Sequence, residues 1–314
     1  MTEACTSGAL PSGGPVKRLR RDQITYRFAP DLVPVIEVGP GDQIVLETLD
    51  AASGRLRRAQ DVARFTRERD PTRVNPATGP IAVSGAEPGD ELRVEILSIE
   101  LASQGYTRFA PGAGVMQAEL TQPRAMMVSV QDGMLICDNG IRFPARPMIG
   151  VIGTCPASGE YPTALPGPHG GNLDFNDLTT GTVAHLPVFV PGALLALGDL
   201  HASMGDGEVT GTAIEISGEV TIRIDLVRDT KLRQPWFETP DAWITYGHAS
   251  DLEQAVRGAV LEMATFLSER LSVSREEAFL LLTGRGDVRI GQAARCGIDA
   301  TVRVVFPKVA TAPA

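Results

Sequence analysis

The spacing of hydrophobic residues changes near residue 250, and this change constrains the fold more than any other feature of the chain. Before it, short apolar runs alternate with polar residues and end at Gly, Pro and Asp; Leu92, Val94 and Ile96 are one such run. After it, apolar residues recur at helical spacing over 252–267. We therefore predict a mainly β (α+β) fold, with β-sandwich or barrel-like sheets and a C-terminal helical pair.

Two β-hairpins are predicted within the strand-like part of the chain. The first joins "VPVIEV" to "QIVLET" through the turn "GPGD". The second joins Val209–Ile216 to Val220–Val227 across a two-residue turn at Ser217-Gly218. Between these hairpins, residues 51–72 are polar and irregular, and we expect them to form a surface excursion.

Capping signals mark the predicted helices. Ser250 with Glu253, and Ser274 with Glu277, have the spacing of capping boxes. Gly284 suits the position after the end of the second helix. The segment "ATVRVVF" then returns to the strand pattern.

The chain has the length and composition of a globular protein with a short polar lead. Its first fifteen residues are rich in Ser, Gly and Pro. We predict a disordered lead over 1–23 and a single domain over 24–314. Two β-rich halves, about 24–145 and 146–314, are compatible with a decayed duplication within that domain.

Charge and cysteine usage exclude several classes of protein. The net charge of −9 argues against a nucleic-acid partner or an anionic membrane surface. The sequence has neither a signal-peptide pattern nor an apolar run of about 18 residues, so we expect a cytoplasmic protein without a membrane span. Cys5, Cys137, Cys155 and Cys296 form no C-x-x-C pair, which predicts free thiols rather than a disulfide scaffold or a thiolate zinc site.

Residues that can bind a metal or move a proton concentrate between 167 and 215. Three of the four histidines, His169, His185 and His201, lie in this segment together with several acidic residues. Histidine is the commonest metal ligand and titrates near neutral pH. This clustering of a rare residue type favours a functional site.

Two pairs of polar residues have the spacing of a shared strand face. Asn172 and Asp174 are two residues apart, as are Asp199 and His201. Residues i and i+2 of an extended strand point to the same side, so each pair can offer two groups to one cavity. Two such pairs that meet would make a site for zinc, or for a harder ion if oxygen ligands dominate, and open coordination positions would activate water.

Other residues of this type have structural alternatives. Asp206 lies in "MGDGE", which is also an ordinary turn sequence. His185 lies in an apolar run and is expected to be a hydrogen-bonded core residue, and His248, just before a helix cap, is expected to be structural. Cys155 is an alternative nucleophile, although no histidine is close to it in sequence.

Four long motifs resemble the acetamidase/formamidase family, and the resemblance extends from about residue 24 to the C-terminus. The motifs are "NPATGPIAVSGAEPGDEL" (75–92), "GVIGTCP" (150–156), "GPHGGNLD" (167–174) and "LPVFVPGALLALGDLHASMGDGEVTGTAIE" (186–215). The resemblance implies a β-rich hydrolase that converts small amides such as formamide or acetamide to the acid and ammonia. It also implies a bound divalent metal, which in family members is assigned as zinc or calcium.

The resemblance places the family's polar core on residues of the third and fourth motifs. They are His169, Asn172, Asp174, Asp199, His201, Glu208 and Glu215. We expect Asp174, Asp199 and His201 to bind the metal, with zinc favoured and calcium as the alternative, and the metal to activate a water molecule.

The remaining residues of that set receive catalytic roles. Asn172 and His169 are expected to stabilise the oxyanion as hydrogen-bond donors. Glu208 is our choice for the general base that passes a proton to the leaving nitrogen. Glu215 either supports the site from behind or takes the place of Glu208.

Two other functions stay open at this point. One is hydrolysis of a larger or cyclic amide on the same scaffold, because a fold alone does not fix the substrate. The other is a non-catalytic metal- or carbohydrate-binding β-module. The expected partner is a small amide substrate, without nucleic acid or membrane. We also expect a homo-oligomer, since the late helix pair is apolar enough to form an interface, with packing against the sheet as the alternative.

Overall fold

The computed structural model describes residues 16–116, 118–293 and 299–309. The first fifteen residues, which include Cys5, lie outside the described residues, and so does Cys296. The helices are α1 (Asp61–Glu68), α2 (Leu252–Leu271) and α3 (Arg275–Arg285). The strands are β1 (Lys17–Leu19), β2 (Ile24–Thr25), β3 (Arg27–Phe28), β4 (Ile36–Val38), β5 (Gln43–Thr48), β6 (Ala77–Val83), β7 (Glu91–Phe109), β8 (Arg124–Gln131), β9 (Met134–Cys137), β10 (Arg142–Pro144), β11 (Met148–Gly153), β12 (Tyr161–Pro162), β13 (Pro166–Gly167), β14 (Gly170–Asn172), β15 (Val183–Pro187), β16 (Leu195–Ser203), β17 (Ile214–Val227), β18 (Trp236–Glu238), β19 (Ala242–Ala249), β20 (Asp287–Gln292) and β21 (Ala300–Pro307).

One curled sheet links nineteen of these strands, and β3 pairs with β12 separately. The long strand β7 organises the sheet, because it pairs with β15 near its start, with β8 near its end and with β17 along most of its length. Leu92, Val94 and Ile96 of β7 are all fully buried, as the alternation predicts. The mainly β fold with a C-terminal helical pair is confirmed.

The centre of the sheet is buried on both faces. Every residue of β11 is buried, and so are the residues of β16 as far as Ala202. The two strands run antiparallel, with Met148 opposite His201 and Gly153 opposite Ala196. A strand covered on both sides normally carries an almost continuous apolar sequence. Asp199 and His201 are therefore exceptions to the composition of β16.

Ordered structure begins ahead of residue 24. Within the predicted lead, β1 pairs in parallel with β5, with Leu19 opposite Leu46, and both side chains are buried in the main core. This short strand extends the sheet toward the N-terminus.

The first predicted hairpin is wrong. The turn at residues 39–42 forms, since the Asp42 side chain accepts a hydrogen bond from the Gly39 amide, but β4 and β5 then diverge. β4 pairs in parallel with β6, whereas β5 pairs with β1 and β17. Each strand thus finds its partner in a distant part of the sequence, which the local pattern does not reveal.

The second predicted hairpin is also wrong, because β17 is one continuous strand. The ladder with β7 shifts register between Ile216 and Gly218, so this glycine lies at a β-bulge. A Cβ atom at Gly218 would lie 2.4 Å from the Glu100 carbonyl oxygen of β7. The glycine therefore permits close approach of two backbones rather than a chain reversal.

The predicted surface excursion at 51–72 contains helix α1. Val62 and Phe65 of this helix are buried, in one cluster with Leu56 and Tyr106. The hydrophobic residues in this mostly polar segment thus hold it against the sheet.

The helix caps differ from the predictions in two of three cases. Asp251, not Ser250, caps α2, because its side chain accepts a hydrogen bond from the Gln254 amide at 3.1 Å. The capping box of Ser274 and Glu277 at α3 is confirmed. α3 continues through Gly284 and ends at Arg285, so that glycine is helical.

The helix pair covers one side of the sheet. Ala255, Ala259 and Met263 of α2 are fully buried and share a core cluster with Val302 of β21 and Trp243 of β19. Within the described ranges, the structure contains no helix with both the length and the apolarity to cross a bilayer.

Candidate active site

Three strands and two loops bring the candidate site residues together. His201 of β16 lies opposite Glu215 of β17. β14, which pairs with β11 beside β16, leads directly into Asp174. Glu208 lies in the connection between β16 and β17, where Gly207 forms a bridge to Gln292 of β20. The site is thus built at the buried centre of the sheet.

Three acidic residues of the site have a left-handed backbone. φ is +51° at Asp174, +56° at Asp199 and +40° at Glu208. Such conformations are uncommon for residues other than glycine, cost about 1–3 kcal/mol each, and cluster at functional sites. Asp199 is therefore not extended, and the simple strand alternation that predicted its pairing with His201 does not apply there.

Gly150 of β11 makes room for two of these carboxylates. A Cβ atom at this position would lie 2.6 Å from Asp174 Oδ1 and 3.0 Å from Asp199 Oδ2. Any side chain here would displace one of them. The glycine in the "GVIGTCP" motif is thus explained by close packing of the two carboxylates.

His201 lies at the centre of a carboxylate cluster. Its Nδ1 is 3.8 Å from Asp174 Oδ1, and its Nε2 is 3.7 Å from Asp199 Oδ1 and 3.5 Å from Glu215 Oε1. All four side chains are at most 4% exposed. Asp174, Asp199 and His201 each offer a ligand atom within 4.8 Å of the others, and His201, Glu208 and Glu215 form a second such group.

Several polar atoms of this cluster are buried without a hydrogen-bond partner. They are Asp174 Oδ1, Asp199 Oδ1, Glu215 Oε2 and both ring nitrogens of His201. Buried polar atoms almost always have partners in native proteins, because desolvation without compensation is costly. Imidazole nitrogen and carboxylate oxygen together suit a divalent cation. These acidic and histidine residues can therefore form a metal site.

The protonation equilibria reflect the crowding of charge. Burial lowers the pKa of His201, but the surrounding carboxylates outweigh it and leave the pKa well above its ordinary value. Burial raises the pKa of Asp174 to about 7, with the His201 charge opposing the rise. Burial and neighbouring carboxylates raise the pKa values of Glu208 and Glu215 well above the ordinary value. The cluster thus binds protons strongly when no cation compensates its charge.

Two amide side chains hold the carboxylates, and sequence reasoning did not identify either of them. Asn75 Nδ2 donates to Asp199 Oδ2 at 2.8 Å and to Asn172 Oδ1 at 3.2 Å. Gln292 Nε2 donates to Asp174 Oδ2. Asn75 begins the first family-like motif, which is a signal for it, whereas nothing in the sequence around Gln292 marks that residue.

Tyr106 is a third residue that the sequence reasoning missed. It lies opposite Glu215 across the β7–β17 ladder, and its hydroxyl donates to Asp50 Oδ1 at 3.4 Å. Burial raises its pKa well above the ordinary value, and Asp50 and Glu215 add to the rise. The phenol therefore stays neutral and can act as a hydrogen-bond donor.

A cavity of about 90 Å³ opens beside the cluster. Its lining includes the polar side chains of Asn172, Asp199, Glu208, Glu215 and Gln292, and the apolar or aromatic side chains of Ala51, Ala52, Phe65, Val74, Tyr106 and Ala164. Asn75, Gly211, Thr212 and two arginines, Arg69 and Arg108, complete the lining. The predicted residues Asn172, Asp199, Glu208 and Glu215 thus face one space, with Asp174 and His201 in contact with them.

His169 is not placed with the other predicted site residues. Its ring lies between Phe28 and Tyr161, with centroid distances of 4.8 and 4.7 Å, and it is absent from the cavity lining. Neither ring nitrogen has a hydrogen-bond partner, and burial, with a smaller contribution from His248, lowers its pKa to about 3. This aromatic setting does not suit the predicted role of His169 as an oxyanion donor.

The other two histidines have structural partners. His185 Nδ1 lies 2.6 Å from Glu91 Oε1, and its ring stacks on Trp236 with a centroid distance of 3.6 Å. His248 Nδ1 lies 2.9 Å from Asp299 Oδ2. Both arrangements agree with the structural interpretation of these residues.

Asp206 belongs to an ion-paired clamp rather than to the cluster. The guanidinium of Arg303 in β21 is fully buried and donates to Asp206 Oδ1 and Asn176 Oδ1, each at 2.7 Å, and also to Asp177. Asn176 donates in turn to Asp206 at 2.8 Å. The clamp thereby joins the loop after Asp174 to the loop that carries Glu208.

The described cysteines are free and buried. Burial raises the pKa of the Cys155 thiol to about 11, and its sulfur donates to the Leu194 carbonyl oxygen at 3.6 Å. Because the thiolate is the nucleophilic form, this environment argues against the alternative of a Cys155 nucleophile.

A curled β scaffold with a buried carboxylate–histidine cluster beside a small cavity defines a candidate metal-dependent active site. The profile of the acetamidase/formamidase family matches this chain over residues 16–163 and 157–294. The chain therefore belongs to the acetamidase/formamidase family, and the resemblance found in its motifs is confirmed.

Individual relatives agree with the family assignment. The structure of an acetamidase from Bacillus halodurans is 38% identical, with a TM-score of 0.87, and the match covers 92% of this chain and 97% of that one. A formamidase from Methylophilus methylotrophus is 28% identical, with 83% of this chain and 82% of that protein covered. A gamma lactamase from Delftia acidovorans is 26% identical, with a TM-score of 0.66 and coverage of 91% and 89%.

Proposed function

We propose that this protein hydrolyses small linear amides of the size of formamide and acetamide to the carboxylic acid and ammonia, with a divalent metal in the His201 cluster. The observation that carries the proposal is the group of buried, unpartnered ligand atoms on Asp174, Asp199 and His201, next to a small cavity. Membership of the acetamidase/formamidase family supports the same reaction.

The proposed metal is zinc, held by Asp174, Asp199 and His201. Neutral imidazole and carboxylates are common zinc ligands, whereas calcium prefers sites made of oxygen alone. When bound, such a cation supplies Lewis-acid chemistry, which acidifies water and polarises a carbonyl group.

The side chains of the cavity supply positioning and proton transfer. Asn172 accepts a hydrogen bond from Asn75, so the carboxamide is fixed and its NH₂ group is available to donate to the amide carbonyl oxygen. Glu208 lines the cavity and takes the proton of the attacking water, which it returns to the leaving nitrogen. The Oε1 atom of Glu215 accepts a hydrogen bond from the Ala213 amide at 3.3 Å. This carboxylate holds the His201 ring in position.

Cavity size favours a small substrate. Pockets for drug-sized ligands enclose roughly 300–1,000 Å³, whereas this cavity encloses about 90 Å³. The gamma lactamase relative favours a cyclic amide as the second candidate. A small linear amide fits the available space better, because a lactam ring adds bulk next to the reacting carbonyl.

Ammonia release and metal content test this proposal together. We expect purified protein to contain about one divalent metal per chain and to release ammonia from formamide or acetamide, with loss of activity after chelation and recovery with zinc. Full activity without metal would overturn the metal assignment. Opening of γ-butyrolactam without ammonia release from linear amides would favour the cyclic substrate. Bound metal without hydrolysis of either class would favour a binding module.

The domain organisation, location and assembly are part of the same proposal. We propose a single folded domain that includes β1 ahead of residue 24, with two β-rich halves at about 24–145 and 146–314, in a cytoplasmic homo-oligomer. The free thiols of Cys137 and Cys155 support a reducing compartment. Leu280 and Leu281 of α3, which are 73% and 40% exposed, support contact between copies. Native mass spectrometry measures the number of copies, and a monomer would contradict this part of the proposal.

A further inference from the structure

The cavity lining contains both hydrogen-bonding and apolar side chains. Asn172, Glu208 and Gln292 offer hydrogen-bonding groups. Phe65 of α1 is the largest lining side chain without a polar atom. A bound amide must direct its oxygen and nitrogen toward hydrogen-bonding groups, since burial of these atoms without partners is costly. Its acyl carbons are then left to pack against apolar residues of the lining, of which Phe65 is the largest.

Phe65 is held firmly in place. The guanidinium groups of Arg55 and Arg108 lie over its ring, 5.0 and 5.2 Å from the centroid. The side chain is only 6% exposed and packs in the cluster that contains Leu56 and Val62. The two guanidinium groups and the packed aliphatic chains restrict movement of the ring toward the surface pocket that Phe65 also lines.

The alanines and Tyr106 of the lining do not set the same limit. Ala51, Ala52 and Ala164 are small, so they leave space rather than remove it. Tyr106 belongs to β7 at the centre of the sheet, and its hydroxyl is bound to Asp50. α1 lies outside the sheet, so its inner face is the part of the wall that can be altered without loss of strand pairing.

We propose that Phe65 determines substrate specificity by limiting the length of the acyl chain that the cavity accepts. The inference rests on the proposed function, since it concerns the acyl side of the same cavity. In a space of about 90 Å³, the ring stops the chain after the first carbons beyond the carbonyl group. Removal of the ring extends the cavity along α1.

Two variants of α1 test this inference. Phe65→Ala removes the ring from the cavity, whereas Val62→Ala shortens a buried side chain of the same helix and cluster that does not line the cavity. The measured quantity is kcat/KM for formamide, acetamide, propionamide and butyramide. One methylene in an apolar pocket changes specificity by roughly 10–200-fold. We expect Phe65→Ala to raise the butyramide-to-acetamide ratio at least about tenfold, and Val62→Ala to leave it unchanged.

The outcomes separate this inference from the proposed function. An unchanged ratio in folded Phe65→Ala protein, or an equal change in Val62→Ala, would overturn the role of Phe65 while amide hydrolysis stands.

Calorimetric titration with butyrate and acetate, the products, gives a readout that does not need turnover, and Phe65→Ala should strengthen butyrate binding selectively. If that variant does not fold, Phe65→Leu replaces it, and an unchanged propionamide-to-acetamide ratio then overturns the inference. Wild-type protein without activity on any amide would overturn the proposed function, and the titrations would still decide the size limit.

Discussion

His185 and His201 are both buried on strands and both face carboxylates, yet their surroundings differ. His185 Nδ1 has a carboxylate oxygen of Glu91 at 2.6 Å, and its ring stacks on Trp236. His201 has carboxylate oxygens at 3.5–3.8 Å, and neither of its nitrogens has a hydrogen-bond partner. Folding gives His185 Nδ1 a close partner, whereas both ring nitrogens of His201 lack one and are available as ligand atoms.

The comparison teaches that burial near an acid does not by itself mark a functional histidine. A close carboxylate partner and an aromatic stack are what a buried histidine needs for stability. Some buried histidines have neighbouring acids that form no hydrogen bond with the ring but lie close enough to bind one cation together with it. Such a histidine is a candidate metal ligand. On this criterion we propose a functional role for His201 and a structural role for His185.

Replacement of the two histidines should separate metal binding from stability, and this is the largest expected effect. Replacement of a residue that only supports a metal ligand typically costs 10–100-fold in metal affinity or activity. His201→Ala removes a proposed ligand itself, so this variant should lose its metal and more than about 100-fold in kcat/KM. His185→Gln should keep metal and kcat but lower the free energy of unfolding by about 1–3 kcal/mol, since Glu91 loses a partner. Elemental analysis, amidase assays and urea unfolding give the three readouts. Metal loss in His185→Gln would contradict the distinction.

Variants of Glu208 and Glu215 test whether the two glutamates near His201 have different roles. Glu208→Gln should lower kcat by roughly 10²–10⁴-fold, the usual contribution of general base catalysis, while metal stays bound. Glu215→Gln should instead weaken metal binding by roughly 10–100-fold. Steady-state kinetics with metal titration distinguishes the two. The reverse pattern would make Glu215 the base.

His169 extends the comparison to a buried histidine without a carboxylate partner. Its pKa is lowered to about 3 by burial, whereas an unfolded histidine titrates near 6.5. As the pH falls from about 6.5 toward 3, the unfolded chain takes up a proton that the folded protein does not bind. This residue should therefore reduce the free energy of unfolding by up to about 1.4 kcal/mol per pH unit in that window, with its full contribution to stability present above it.

The matched variant for this prediction is His169→Gln, which cannot titrate. The difference in unfolding free energy between wild type and variant should change between pH 7 and pH 5. A difference independent of pH would show that His169 can be protonated in the folded protein.

The fold class was predictable because it depends on local periodicity, whereas the strand partners depend on the whole chain. Strict alternation around Leu92 and helical spacing after residue 250 each define an element without reference to other segments. Gly218 shows the limit of that reasoning. A serine-glycine pair between two alternating runs has the same local sequence whether the glycine makes a turn or a bulge, and only the approach of Glu100 distinguishes them.

The charged part of the site was more predictable than its neutral part. Asp199 and His201 are conspicuous in an otherwise apolar strand, and with the family motifs this identified the cluster. Gln292 and Asp174 are 118 residues apart in sequence, and a glutamine at a strand end is common in any soluble protein. His169 was assigned to the site through its motif, although the turn between β13 and β14 directs it among aromatic rings.

The Arg303 clamp has a consequence for the order in which the site is assembled. Arg303 lies nearly a hundred residues after Asp206, and through Asp206 and Asn176 it holds the loops beside Glu208 and Asp174. Those loops are synthesised and can begin to fold long before β21 exists. A nascent chain thus carries the three proposed metal ligands and the proposed base, Glu208, before Arg303 joins the two loops. We therefore expect the two loops to reach their final arrangement only after β21 has been synthesised and has paired with β19.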